Sequence, residues 1–133
     1  MPRDLAVLFV CEHGAAKSVL AAELLGERVA ALGLPVTIRS AGVAPDARVS
    51  DRLFELFPER AWKLASESPS LVSVGDVEDA SIVVTFNLGA EALPGSPRRR
   101  LLWDDVPPVS EDPVAAAAAI ERHLEELVDA LRA

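Results

Sequence analysis

Leu5–Val10 (LAVLFV) is a run of six apolar residues without a polar interruption. A run of that composition suits a strand buried on both faces, as in a parallel sheet covered by helices. The next segments narrow the choice further. Cys11–Lys17 (CEHGAAK) is a short loop rich in small residues, and Ser18–Leu32 carries Leu20, Leu24, Leu25 and Val29 at helical spacing. Gly33 and Pro35 then stop that helix, glycine as its cap and proline just beyond. Val36–Ser40 (VTIRS) reads as a second strand closed by Ala41-Gly42, completing a βαβ unit.

The rest of the chain continues the alternation. Val49–Arg60 reads as a helix with Leu53, Leu56 and Phe57 on one face. Ala61–Asp79 is rich in turn formers, with one short helix expected near Ser70–Val74. Ser81–Phe86 (SIVVTF) is a buried strand, Asn87–Pro97 a loop with room for one helical turn, and Arg99–Trp103 a short fourth strand. After the loop Asp104–Glu111, Asp112-Pro113 has the form of an N-cap followed by proline at the first helical position. The last helix runs to about Leu131, with Ile120, Leu124, Leu127 and Leu131 inward. The class is therefore α/β with a parallel sheet, in a single domain spanning 1–133 without repeats or long linkers.

The formal net charge of −8 argues against nucleic acid or an anionic membrane as principal partner, since both reward basic surfaces. No run approaches the roughly 18 apolar residues of a membrane span, and the N-terminal apolar run is too short for a secretory signal. The expected location is cytoplasmic. A single cysteine permits no intrachain disulfide and no site built on several thiolates. With only His13 and His123 as histidines, neither a metal nor a cofactor is expected. Arg98–Arg100 reads as a solvated edge run, and Trp62 and Trp103 as packing residues.

The lone cysteine sits where the first strand gives way to the first helix. In open α/β sheets that position lies at the ligand-binding end. Gly14, Ala15 and Ala16 leave their backbone N–H groups free to converge, and the following helix N-terminus favours an anion. Lys17 adds a full positive charge, and Ser18 adds a hydroxyl able to reach the sulfur or cap the helix. Each feature stabilises negative charge, on the sulfur and on a tetrahedral oxyanion above it. A thiolate beneath a bound phosphate is suited to covalent phosphoryl transfer, with a nearby acid to protonate the leaving group. The competing reading is that Cys11 is a small buried hydrophobe and Lys17 a solvated helix-start lysine.

The pattern C-x5-K-S after a first strand resembles the phosphate loop of the low-molecular-weight protein tyrosine phosphatases and the related arsenate reductases, whose pattern is C-x5-R-S. Further segments match in order: IRSAG at Ile38–Gly42, EDASIVVTF at Glu78–Phe86 and LLWDD at Leu101–Asp105. The resemblance implies a three-layer sandwich with a four-stranded parallel sheet in the order 2-1-3-4 and helices on both faces. It implies Cys11 as nucleophile, the amides of Glu12, His13, Gly14, Ala15, Ala16, Lys17 and Ser18 as the phosphate-binding loop, and Ser18 as support for the thiolate. Lys17 stands where the family has arginine. An aspartate after the fourth strand is the general acid, Asp105 by first choice and Asp104 by second, with Asp112 read mainly as a cap.

The departures are as telling as the matches. Lysine is a point charge where arginine offers a planar fork. His13-Gly14 replaces the usual Gly-Asn of the loop, and the absence of tyrosine argues against a phosphotyrosyl protein substrate. Three functions are compatible with this pattern, in order of preference. The first is a phosphatase acting through a phosphocysteine. The second is an arsenate reductase drawing on an external low-molecular-weight thiol, since no second cysteine exists to resolve the adduct. The third is a catalytically degenerate domain that binds phosphate, sulfate or a phosphorylated partner. In each, the partner is a small oxyanion or phosphorylated molecule. No feature of the chain points to an oligomeric state.

Overall fold

The first apolar run forms β1 (Leu5–Cys11) in a computed structural model that describes residues 5–132. It lies at the centre of a four-stranded sheet, between β2 (Val36–Gly42) and β3 (Ile82–Thr85), with β4 (Arg100–Leu102) beyond β3. Every pairing is parallel and the order is 2-1-3-4, as expected. The register sets Cys11 beside Gly42 and Val10 beside Thr85, so the loops that leave these strands meet at one edge.

Alternation along β1 assigns each residue to a layer. Val7, Phe9 and Cys11 face α1 (Lys17–Leu32) and α5 (Pro113–Arg132), packing with Leu20, Leu25, Ile120 and Leu124. Leu8 and Val10 face the opposite side, where Val77 of α4 (Val74–Asp79) covers them. Each fully buried leucine or phenylalanine here is worth about 1.5–3 kcal/mol relative to exposure. Among the described residues, no helix is long and apolar enough to cross a membrane.

Two segments depart from the sequence reading. The helix expected over Val49–Arg60 is broken into α2 (Arg52–Leu56), a 3₁₀ turn at Pro58–Arg60 and α3 (Ala61–Ser66). Pro58 is the cause: it pushes the preceding Phe57 out of the helical region, to φ −130° and ψ 63°. Arg60 ties the broken segment to α1 by bonding Glu23 and Glu27 at 2.8 and 2.9 Å. The short helix placed near Ser70–Val74 begins only at Val74, because Ser73 is its N-cap and accepts the Asp76 N–H at 3.1 Å.

Three side-chain readings also change or gain detail. Trp62 does not pack; it is 77% exposed on α3. Arg100 is not a solvated edge residue, because its guanidinium reaches Thr85 Oγ1 at 3.1 Å and the Leu88 carbonyl at 2.8 Å. Trp103 is buried against Phe9 and Phe86 and stacks on His123 of α5 with ring centres 5.0 Å apart. His123 Nε2 lies 2.7 Å from Asp105 Oδ1, so stack and hydrogen bond together fasten the loop after β4 to α5. Asp112 caps that helix, accepting the Ala115 N–H at 3.0 Å.

The loops after β1 and β2 touch backbone to backbone. Gly14 has φ +61°, and a Cβ there would lie 2.7 Å from Gly42 N; a Cβ on Gly42 would lie 2.5 Å from Gly14 N. Gly42→Ala is therefore expected to push the loops apart and to cost about 1–3 kcal/mol, the range for overpacking. Thermal denaturation checks this, and an unchanged Tm would mean the contact is not tight.

The hydrogen bond from His123 holds the Asp105 carboxyl below its ordinary value. A depressed carboxylate stabilises the fold above its unfolded pKa and loses that contribution as pH falls through the folded one. The Tm of Asp105→Ala is thus expected to fall slightly below wild type near neutral pH, with the gap closing below about pH 4. A gap that persists in acid would assign the loss to something other than this pair.

Candidate active site

Cys11 ends β1 and is 7% exposed. Its Sγ lies 3.1 Å from the hydroxyl of Ser18, which is completely buried in the first turn of α1. Among the described residues, no side chain caps that helix: the N-cap is Ala16, and the first turn holds no acidic residue. Its N-terminal donors and dipole are left to whatever occupies the loop.

The carbonyls of the loop are drawn elsewhere. Val43 N donates to Cys11 O at 3.2 Å, Ala44 N to Glu12 O at 2.7 Å, Asp46 N to His13 O at 3.0 Å and Ser50 N to Ala15 O at 2.7 Å. Leu20 N donates to Ala16 O at 2.8 Å. In contrast, no backbone N–H from Glu12 to Ser18 donates to any described residue. A segment whose acceptors are satisfied and whose successive donors are not is a nest for an anion.

The loop floors a cleft of about 520 Å³. Arg48, Phe86, Asn87 and Val109 also line it. Lys17 stands at the edge, its ammonium donating to Asn87 Oδ1 at 2.9 Å. Burial lowers the lysine's pKa, opposed by the charges of Cys11 and Asp104. His13 is a rim residue. Its Nδ1 lies 3.2 Å from the Ala44 carbonyl and 3.4 Å from Asp46 Oδ1. Among the described residues, no three His, Cys, Asp or Glu side chains are grouped so as to hold a metal ion.

The structure thus gathers Cys11, Glu12, His13, Ala15, Ala16 and Lys17 at one cleft, with Gly14 and Ser18 beneath them. It does not bring in the aspartates after β4. Asp105 is held by His123, and Asp104 Oδ1 accepts the Asn87 N–H at 2.8 Å; neither lines the cleft. Asp112 is occupied as a cap. The sequence reading missed Arg48 and Asn87. Arg48 lies in a loop with no periodicity to point inward. Asn87 does leave a signal: it is an asparagine at a strand end, a residue type that tolerates the left-handed conformation found there.

Similarity to known proteins agrees with this geometry. Residues 6–94 match the family model described as low molecular weight phosphotyrosine protein phosphatase. No curated protein is significantly similar to the chain. Among solved structures, a low molecular weight phosphotyrosine phosphatase of Vibrio cholerae is similar at TM-score 0.76 and 19% identity, over 96% of this chain and 97% of that one. A Vibrio vulnificus protein solved with benzylphosphonate is similar at TM-score 0.75 and 15% identity, over 96% and 99%. The thioredoxin-dependent arsenate reductase of Corynebacterium glutamicum is similar at TM-score 0.76 and 24% identity, over 97% of this chain but only 62% of that one. These identities speak for a shared fold, while the family-model match takes in both the loop around Cys11 and the strand pair that shapes it: the chain belongs to the low molecular weight phosphotyrosine protein phosphatase family.

Proposed function

We propose that the protein hydrolyses small phosphate monoesters through a phosphocysteine on Cys11. The observation that carries this reading is the run of unpartnered N–H groups from Glu12 to Ser18, among the described residues, around a nucleophile-bearing cleft. In the first step, the Cys11 thiolate attacks phosphorus as the ester P–O bond breaks, and the leaving oxygen takes a proton. In the second, water attacks phosphorus, the S–P bond breaks, and phosphate leaves with the thiolate restored. Ser18, 3.1 Å from the sulfur, donates to the thiolate. The loop amides and Lys17 hold the equatorial oxygens, where charge accumulates in the transition state.

The proton comes from the loop after β4. Asp104 is committed to the Asn87 backbone, whereas Asp105 is 61% exposed at its side chain and has one side-chain partner among the described residues, His123. An exposed carboxylate gives up one such bond at little cost, since water replaces it. Asp105 is therefore the assigned acid, acting after it leaves His123. Among the described residues, Phe86 is the one phenylalanine, tyrosine or tryptophan on the cleft wall. Such a wall suits small esters rather than a phosphotyrosyl protein. A working thiolate also suits a reducing cytoplasm.

Arsenate reduction is the second reading. It is favoured by the absence of Asp104 and Asp105 from the cleft wall, which leaves the release of a poorly acidic alcohol without a poised acid. Cys11 would displace hydroxide from arsenate. One external thiol would then attack the sulfur of the adduct, releasing arsenite and leaving a mixed disulfide, which a second thiol would reduce.

Hydrolysis of p-nitrophenyl phosphate between pH 5 and 8 is expected for wild type and not for Cys11→Ser. Lys17→Arg is expected to raise kcat/KM by about tenfold or more, since the loss of one oxyanion donor costs about 10²–10³. Silence in both wild type and Lys17→Arg, with arsenite formed from arsenate and a small thiol, would favour the second reading.

Asp105→Asn separates the acid from the loop. p-Nitrophenolate leaves without much help, so its release is expected to change little, while hydrolysis of an alkyl phosphate falls about 10²–10⁴-fold. An equal effect on both substrates would remove Asp105 from the chemistry.

A further inference from the structure

The lysine that replaces arginine has its own partner in the cleft wall. Lys17 Nζ donates to Asn87 Oδ1 at 2.9 Å. Asn87 is the one non-glycine residue with positive φ among those described, at +56°. Two bonds to Asp104 hold it there: its backbone N–H to Oδ1 at 2.8 Å and its Nδ2 to the carbonyl at 3.0 Å. Because Nδ2 must donate to that carbonyl, the amide oxygen is turned toward the lysine. The acceptor is uncharged. A carboxylate at the same point would pair with the ammonium and compete with any anion for it; an amide directs the ammonium and leaves its charge available.

We propose, resting on the reading of the loop as an oxyanion site, that Asn87 is a positioning residue that tethers the Lys17 ammonium at the cleft with its charge intact. The tether supplies the fixed direction that a flexible four-carbon stem lacks and an arginine fork carries within itself. Holding the Asp104 carboxylate needs only the backbone N–H of residue 87; holding the lysine needs the amide.

Two variants test this. Asn87→Gly keeps the positive φ and the backbone N–H but deletes the amide. Asn87→Asp keeps an acceptor within reach of the lysine and adds charge, while giving up the Nδ2 bond to the Asp104 carbonyl. The readouts are the Lys17 ammonium signal in protein labelled with ¹⁵N-lysine and the affinity for inorganic phosphate by calorimetry. Wild type is expected to show a resolved, slowly exchanging Lys17 signal. Asn87→Gly loses it and binds phosphate about tenfold more weakly. Asn87→Asp keeps the signal, titrates at higher pH and also binds more weakly, because its carboxylate competes with phosphate. A wild-type Lys17 signal in Asn87→Gly, or wild-type phosphate affinity in both variants, overturns the tether. Wild type that binds no phosphate overturns the oxyanion reading itself, and the tether's purpose with it.

Discussion

The close approach of Gly14 and Gly42 governs the site. A side chain on either would come within 2.7 Å of the other's backbone nitrogen, so the loops after β1 and β2 can lie side by side only because both positions are bare. Contact at that distance lets the segment Val43–Ser50 run along the loop after Cys11 and present its N–H groups to four of that loop's carbonyls. With the carbonyls bound outward, the N–H groups between Glu12 and Ser18 have no competitor among the described residues. The run of unpartnered N–H groups is thus a consequence of strand register, Cys11 beside Gly42, more than of any side chain.

The layers fix where Cys11 stands. Cys11 shares the face of β1 that packs on α1 and α5, so its sulfur emerges beside the first turn of α1, where Ser18 waits fully buried. The strand cannot slip by one residue without exchanging Phe9 and Val10 between two filled cores. Precision at the sulfur is inherited from that packing. The loop after β4 is anchored by Trp103, Val106 and Val109, which are buried in the same core, and at its start by the stack of Trp103 on His123 and the His123–Asp105 bond. Both sides of the cleft are therefore fixed by burial, and the His123–Asp105 bond is the part of the second side that water can replace.

Much of the first half is legible in the sequence because its signals are local. The apolar run Leu5–Val10, the helical spacing after Ser18 and the stop at Gly33 each prescribe one structure, and together they locate Cys11 at the ligand-binding end of the sheet. The helix expected across Val49–Arg60 does not form in one piece, because the effect of Pro58 on Phe57 outweighs the apolar spacing on either side. Trp62 as a packing residue rests on residue type alone, and no nearby element covers it. Arg48, Asn87 and the partners of Asp104 and Asp105 depend on loops distant in the chain meeting in space. No period marks such encounters. Asn87 comes closest to an exception, since an asparagine following a buried strand hints at positive φ, but its bond to Lys17 spans 70 positions.

Charge bears on what a lysine contributes where the family carries arginine. The chain bears a formal −8, and in the cleft Lys17 and Arg48 do no more than offset Glu12 and Asp46, before a Cys11 thiolate is counted. Side-chain charge therefore gives an incoming anion no net local attraction to set against the field of the whole molecule. What remains is the backbone. Its N–H dipoles are fixed by the bonds that hold the carbonyls outward, they do not titrate, and they act at contact distance, where screening by salt is weakest. In such a site the cation is not the main source of affinity, and its value lies in where it points. A flexible lysine is adequate for that only when something holds it, and the neutral amide of Asn87, itself locked by Asp104, does so without subtracting the charge.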